Sequence, residues 1–130
     1  MKRREAREKA VQILFQFNFD KELTVELAIN NVTSEPDEYL VSLVKGTLAK
    51  EAELDEIIKA HLVKWRIERI NKVDLAILRI ATYELLFDKE TPTNVVINEA
   101  IDLSRLFGDD QSRKFVNGMM SNIAAAIDEQ

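Results

Sequence analysis

Residues Val73–Phe87 read VDLAILRIATYELLF, a stretch that is apolar on nearly every side of a helical wheel. A helix of this kind has no face to give to water and belongs at the centre of a bundle, packed on several sides. Its two interior charges, Arg79 and Glu84, have no companion constellation and read as paired structural charges. Just before it, Asn71 and Asp74 form a capping pair for its first turn. The charged segment Arg66 to Lys72 links this helix to what precedes it.

Outward from that centre, helix-period patterns fill the chain, and no run alternates apolar and polar residues as a half-buried strand would. A first helix is expected from about Arg3 to Asn18. Ala6, Ala10, Ile13, Leu14 and Phe17 make its apolar side, Arg4 and Arg7 fall in line with Val11 and Phe15 at the flank, and Glu5, Glu8, Gln12 and Gln16 face away. A short helix follows around Thr24 to Asn31. Ser34 and Asp37 can cap a third, with Pro36 in its first turn and Leu40, Leu43, Val44, Thr47 and Leu48 as its stripe. Leu54, Ile57, Ile58, His61, Leu62 and Trp65 repeat at three- and four-residue spacing in a fourth. Beyond the central helix, Pro92 ends a connection. A sixth helix over Asn94 to Phe107 places Val96, Ala100, Leu103 and Phe107 on one face. Gly108 suits a left-handed residue past its end. Ser112 can cap a last helix whose Val116, Met119, Ile123 and Ile127 face inward. The expected fold is all-α, about seven helices in one domain over residues 1–130. They pack as an N-terminal bundle (about 1–65) and a C-terminal bundle (about 66–130) around a shared core.

At 130 residues and 46% hydrophobic, the chain can bury a sizeable core. It has no Cys, so disulfides and thiolate chemistry are excluded, as suits a reducing cytoplasm. No apolar run reaches membrane-spanning length, and no secretory leader is visible. Catalytic machinery is scarce. The single histidine, His61, sits in an apolar stripe; no histidine pair or thiolate suggests a metal, and no glycine-rich loop could cradle a nucleotide. Asp109 and Asp110 are adjacent carboxylates explained by the helix start they occupy. The expectation is therefore no enzyme, no metal and no cofactor.

Charge is distributed unevenly. Lys2, Arg3, Arg4, Arg7 and Lys9 make five cations in the first nine residues of a chain whose formal net charge is -5. They run straight into an apolar helical pattern, so they are mounted on a helix end rather than a loose tail. Taken alone, a solvated helix terminus is the more ordinary reading of such a cluster. A second group, Gln111, Ser112, Arg113, Lys114, Phe115 and Asn117, combines amide, hydroxyl, cation and aromatic ring at one helix start. Taken alone it reads as a capped helix with Phe115 in the core. Backbone N–H groups at such a start can also hold phosphate, and aromatic rings stack on unpaired bases.

Four ordered blocks turn these readings into a resemblance: AREKAVQILFQ at Ala6–Gln16, VDLAILRIATYELL at Val73–Leu86, INEAIDLSRLFG at Ile97–Gly108 and SRKFVNG at Ser112–Gly118. From Arg3 to about Ile123 the chain resembles the bacterial transcription antitermination factors of the NusB family. The resemblance implies an all-helical, non-enzymatic protein that binds boxA, a short single-stranded element of nascent ribosomal RNA. It implies a partner, NusE, itself a small-subunit ribosomal protein, and membership of an antitermination complex on RNA polymerase. Some family members form homodimers when free. By position, Lys2, Arg3, Arg4 and Arg7, with Gln12 further along, match the family's basic N-terminal RNA contacts, and Ser112, Lys114 and Phe115 a second RNA-facing region. Phe15 and Asp74 match positions that meet NusE, with Leu78 and Glu84 as further companions; the apolar flank at Phe15 and Phe19 suits NusE, a second subunit or the core. Two positions depart from the pattern. Gln111 stands where many relatives carry an acid, and Leu75 where a cation is common. Two other classes are consistent with the residues: a helical protein-interaction module, and a detached RNA-binding domain of an RNA cytosine methyltransferase.

Overall fold

The structure, a computed structural model, describes residues 1–63 and 66–128. The expected role of Trp65 in the fourth helix's stripe lies outside them. The described residues form seven α-helices and no strand: α1 (Arg3–Phe15), α2 (Val25–Val32), α3 (Glu38–Ala49), α4 (Glu51–Ala60), α5 (Lys72–Phe87), α6 (Thr93–Phe107) and α7 (Asp110–Asp128). Two single-turn 3-10 segments, Gln16–Asn18 and Ile67–Arg69, follow α1 and precede α5.

The all-round apolar helix is central, as its sequence requires. Leu75, Ala76, Ile77, Leu78, Ile80 and Ala81 are all buried, and α5 packs against α1, α3, α4, α6 and α7. The Asn71 side chain accepts from the Val73 and Asp74 amides and caps its start. The interior charges are paired, but not with each other. Arg79 forms a bidentate pair with Asp55 (2.7 and 2.8 Å) and reaches Glu51 (2.9 Å), clasping α4 to α5. Glu84 turns the other way, to α1.

Directions along the core fix where the ends lie. Arg7 meets Glu84 near the C-terminal end of α5, whereas Leu14 and Asn18 line a cavity with Lys72 and Leu75 at its start, so α1 and α5 are antiparallel. Asp74 shares a pocket with Ser112, and Thr82 meets Met120, so α7 runs parallel to α5. α6 returns between them.

Local chemistry moved four boundaries from their sequence expectations. α1 stops at Phe15, because Gln16 does not face away: its amide donates to the Ala28 carbonyl (2.8 Å) and accepts from Asn31 (2.8 Å), tying the turn to α2. Pro36 stays outside α3, whose N-cap is Asp37, accepting from the Leu40 amide at 2.8 Å. Asp109, not Ser112, caps α7, accepting from the Ser112 amide at 2.9 Å. Gly108 is extended (φ -128°, ψ -148°) rather than left-handed. Glycine is needed there for space, since a Cβ would lie 2.7 Å from the Ser112 side chain and 2.9 Å from the Ser104 carbonyl.

Candidate functional site

The N-terminal cations leave the start of α1 in three directions. Arg3 leans over the ring of Tyr39 in α3 (4.1 Å to its centroid) and stands 3.9 Å from Asp88, past the end of α5. Arg4 points to α6, where its Nε donates to Glu99 (3.2 Å) and its Nη2 to Asp102 (2.7 Å). Both guanidinium groups remain more than half exposed. Lys9 pairs along the helix with Glu5 at 3.3 Å. Lys2 is exposed and makes no ion pair among the described residues, and Gln12 also faces solvent.

Arg7 corrects the sequence expectation of a surface contact. Its residue is only 4% exposed and its partner Glu84 only 2%. Arg7 Nε and Nη2 donate to the two carboxylate oxygens at 2.8 and 2.9 Å, a fork-to-fork pair sealed under Tyr39. Burial disfavours the Arg7 charge, but the hydrogen bonds and charge of Glu84 outweigh it and hold the guanidinium pKa above its usual value. Both side chains are committed to the core. Glu84 is thereby also withdrawn from the proposed partner surface, as is the fully buried Leu78.

The second group sits at the start of α7. Gln111, Lys114 and Asn117 are exposed, Arg113 lies 3.9 Å from Asp110, and Phe115 is half-buried against the core. Ser112 is turned inward beside Asp74. Asp74 is 5% exposed, and its Oδ1 has no hydrogen-bond partner among the described residues. Burial raises its pKa; a hydrogen bond from Ser112 opposes this, and the nearby Asp109 charge adds to it. It lies at the back of an open pocket of about 390 Å³ whose walls include Arg69, Asn71, Asp109, Gln111 and Phe115. At the same end of α5, Phe15 stacks edge-on against Phe19 (5.2 Å, 66°), and Phe19 is 78% exposed.

The two cationic groups are therefore separated by the 16 residues of α5, about 24 Å of helix. The exposed face of α6 leads from the first towards the second. A groove of about 310 Å³ runs from Arg4 and Glu8 past Asp102 to Arg105 and Leu106, one turn short of the α6–α7 connection. Sequence reasoning found both groups, but missed Glu99, Asp102 and Arg105 in the α6 groove beside Arg4. Their only sequence signal is a polar face on α6, and the Arg4–Glu99 contact spans 95 positions. Tyr39 was missed as well.

Among the described residues, no group of three or more His, Asp or Glu side chains is placed to hold a metal ion, and no helix is long and apolar enough to cross a membrane.

Known proteins share this sequence pattern and fold. A model of the NusB family matches residues 4–125. The chain is 46% identical over 125 residues to the transcription antitermination protein NusB of Listeria innocua, covering 95% of this chain and 97% of that protein. It is 47% identical over 126 residues to its counterpart in Bacillus cereus, with the same coverage. Among solved structures, T. maritima NusB superposes with a TM-score of 0.88 at 34% identity, covering 96% of this chain and 92% of that one. A crystal structure of the antitermination factors NusB and NusE in complex with double-stranded RNA matches with a TM-score of 0.85 at 30% identity, covering 95% and 96%.

Proposed function

The chain belongs to the NusB family, and we propose that it is a non-catalytic RNA-binding adaptor in transcription antitermination, gripping the single-stranded boxA element of nascent ribosomal RNA together with NusE. It acts in the cytoplasm, within the antitermination complex on RNA polymerase. One observation carries the reading: two separate exposed groups of cations and polar side chains, at opposite ends of α5, stand on a fold shared with a NusB–NusE–RNA complex.

In this reading Lys2, Arg3 and Arg4 contact phosphates and set the position of the strand, with Gln12 beside them. Lys114, Gln111, Arg113 and Asn117, with the Phe115 ring at the start of α7, contact the other end and supply discrimination. Ser112 is turned inward beside Asp74 and is left out of the RNA surface. Arg7 is left out of the RNA surface, because its guanidinium holds Glu84. NusE is assigned to the Phe15, Phe19 and Asp74 end, where the unpartnered carboxylate oxygen of Asp74 suits a donor or cation on a basic ribosomal protein. That end adjoins the start of α7, so partner and RNA surfaces are contiguous. An acidic chain attracts RNA poorly by itself; a basic partner beside the same strand supplies charge and raises the effective concentration of both sites. The same apolar flank is where two copies would pair in the absence of NusE.

The deciding measurement is fluorescence anisotropy with boxA RNA against a scrambled sequence, with and without NusE. The triple variant K2A/R3A/K114A is expected to fold normally and lose at least tenfold in boxA affinity. D74N, which keeps the shape of the buried side chain and removes its charge, is expected to weaken the NusE complex while sparing RNA binding by the isolated chain. Equal affinity for boxA and scrambled RNA in the presence of NusE would instead favour a protein-interaction module.

A further inference from the structure

Arg3 borders a second feature, on the side facing α3 rather than α6. Between α3 and the last turn of α5 lies a groove of about 200 Å³ whose floor is three aromatic rings, Tyr39, Tyr83 and Phe87. The Tyr83 and Phe87 rings are 5.1 Å apart and tilted by 35°. Phe87 is 43% exposed, unusual for a ring at the end of a core helix. Tyr83 is held in place across α3 at Gly46, where any Cβ would overlap its hydroxyl and ring. Arg3, in the groove, stands over Tyr39 at 4.1 Å; Lys50, just outside it, stands over Phe87 at 5.4 Å and 4.0 Å from the exposed Glu53.

The two acids bordering the groove are already engaged. Glu84 is locked to Arg7. Asp88 accepts from the Thr91 hydroxyl (2.7 Å) and from the Glu90 and Thr91 amides, with Arg3 nearby. What faces solvent is the Phe87 ring, with Tyr83 and Tyr39 partly buried beside it and a cation on either side. An apolar peptide side chain would make no use of the cations, and a phosphate alone none of the rings. An unpaired nucleotide uses both, since every base has a face to stack and every linkage a charge to neutralise.

We propose that this groove binds one unpaired nucleobase of the RNA, stacked on the exposed Phe87 ring in place of the Lys50 ammonium, with its flanking phosphates on the displaced Lys50 and on Arg3. The proposal rests on the RNA-binding reading above and extends it. Because Arg4 sends the boxA strand along α6 while Arg3 faces α3, the base held here lies beyond boxA, at the end of the element bound by the N-terminal cations.

The test uses the full chain and two sets of RNA: boxA alone, and boxA extended by three nucleotides at either end, with 2-aminopurine placed in each extension. One extension is expected to raise affinity about fivefold or more and to quench its 2-aminopurine. F87A and K50A, two exposed positions whose folding is checked by circular dichroism, are expected to remove the gain and the quenching while leaving affinity for boxA alone unchanged. An extension that adds nothing at either end overturns the proposal, as does a gain that survives both variants. A change in oligomeric state of F87A on sizing chromatography, with RNA binding intact, would assign the groove to a protein contact and also overturn it. Failure of boxA alone to bind would instead strike the RNA-binding reading underneath.

Discussion

Arg3 and Arg7 are one helical turn apart in the same basic cluster, yet they meet opposite environments. Arg3 keeps most of its guanidinium in water. Arg7 lies beneath the surface, and Glu84 is its one ion-pair partner among the described residues. Removing one member of a buried ion pair leaves the other charged, dry and unpaired, which costs about 3–5 kcal/mol. R7A should therefore lose stability on that scale in urea unfolding, whereas R3A should stay within about 0.5 kcal/mol of the parent. A double variant that replaces both Arg7 and Glu84 with apolar residues should recover much of the loss. An RNA-binding defect in R7A would accordingly report on folding. From sequence, the cluster was legible as cationic, but the division of labour within it was not: the wheel placed Arg4 and Arg7 alike on the flank of the stripe, and only the position of Glu84 separates them.

Among the helices, α5 is where the sequence spoke most clearly. A helix with no polar face has one stable location, and the structure puts it against five neighbours. Its neighbour α3 carries a less visible requirement. Gly46 sits inside α3, where glycine weakens a helix by about 1 kcal/mol relative to alanine. It is tolerated because Tyr83 of α5 crosses there with no room for a methyl group. G46A should gain the helix preference yet lose more by overpacking, about 1–3 kcal/mol, so its thermal midpoint should fall. In a Y83A background the same change should be neutral or stabilising. A rise in midpoint with Tyr83 present would mean that the crossing is loose. Helix ends were harder to read, since Ser, Asp and Gly near a boundary offer several caps of similar quality. Asp109 prevails over Ser112 because Ser112 is drawn inward towards Asp74, a contact 38 residues away in the chain.

Over the whole molecule, charge is nearly balanced where the sequence suggested a bare cationic tip. Asp88, Glu99, Asp102, Glu84 and Glu5 each meet a cation from the first nine residues. The isolated protein should then engage only three or four phosphates, and with a single-strand slope of about 0.7 per contact, log affinity should fall against log salt with a slope of about -2 to -3. Glu99 and Asp102 offset the Arg4 charge beside the strand, so E99Q/D102N should strengthen its phosphate contact; anisotropy across a potassium chloride series should show tighter binding at low salt and a slope steeper by up to about 0.7. An unchanged slope would remove Arg4 from the strand's path. The sequence alone determined the helical class, the central element, the apolar stripes and the two regions where polar chemistry gathers, because these follow from periodicity and composition within a few turns of chain. Tertiary structure decided which cations face water, which carboxylates hold them and how far apart the two regions stand. Those depend on contacts such as Arg7–Glu84 and Arg4–Glu99, between residues 77 and 95 positions apart, and a pairing across that distance is set by how the helices pack, not by any pattern local to either one.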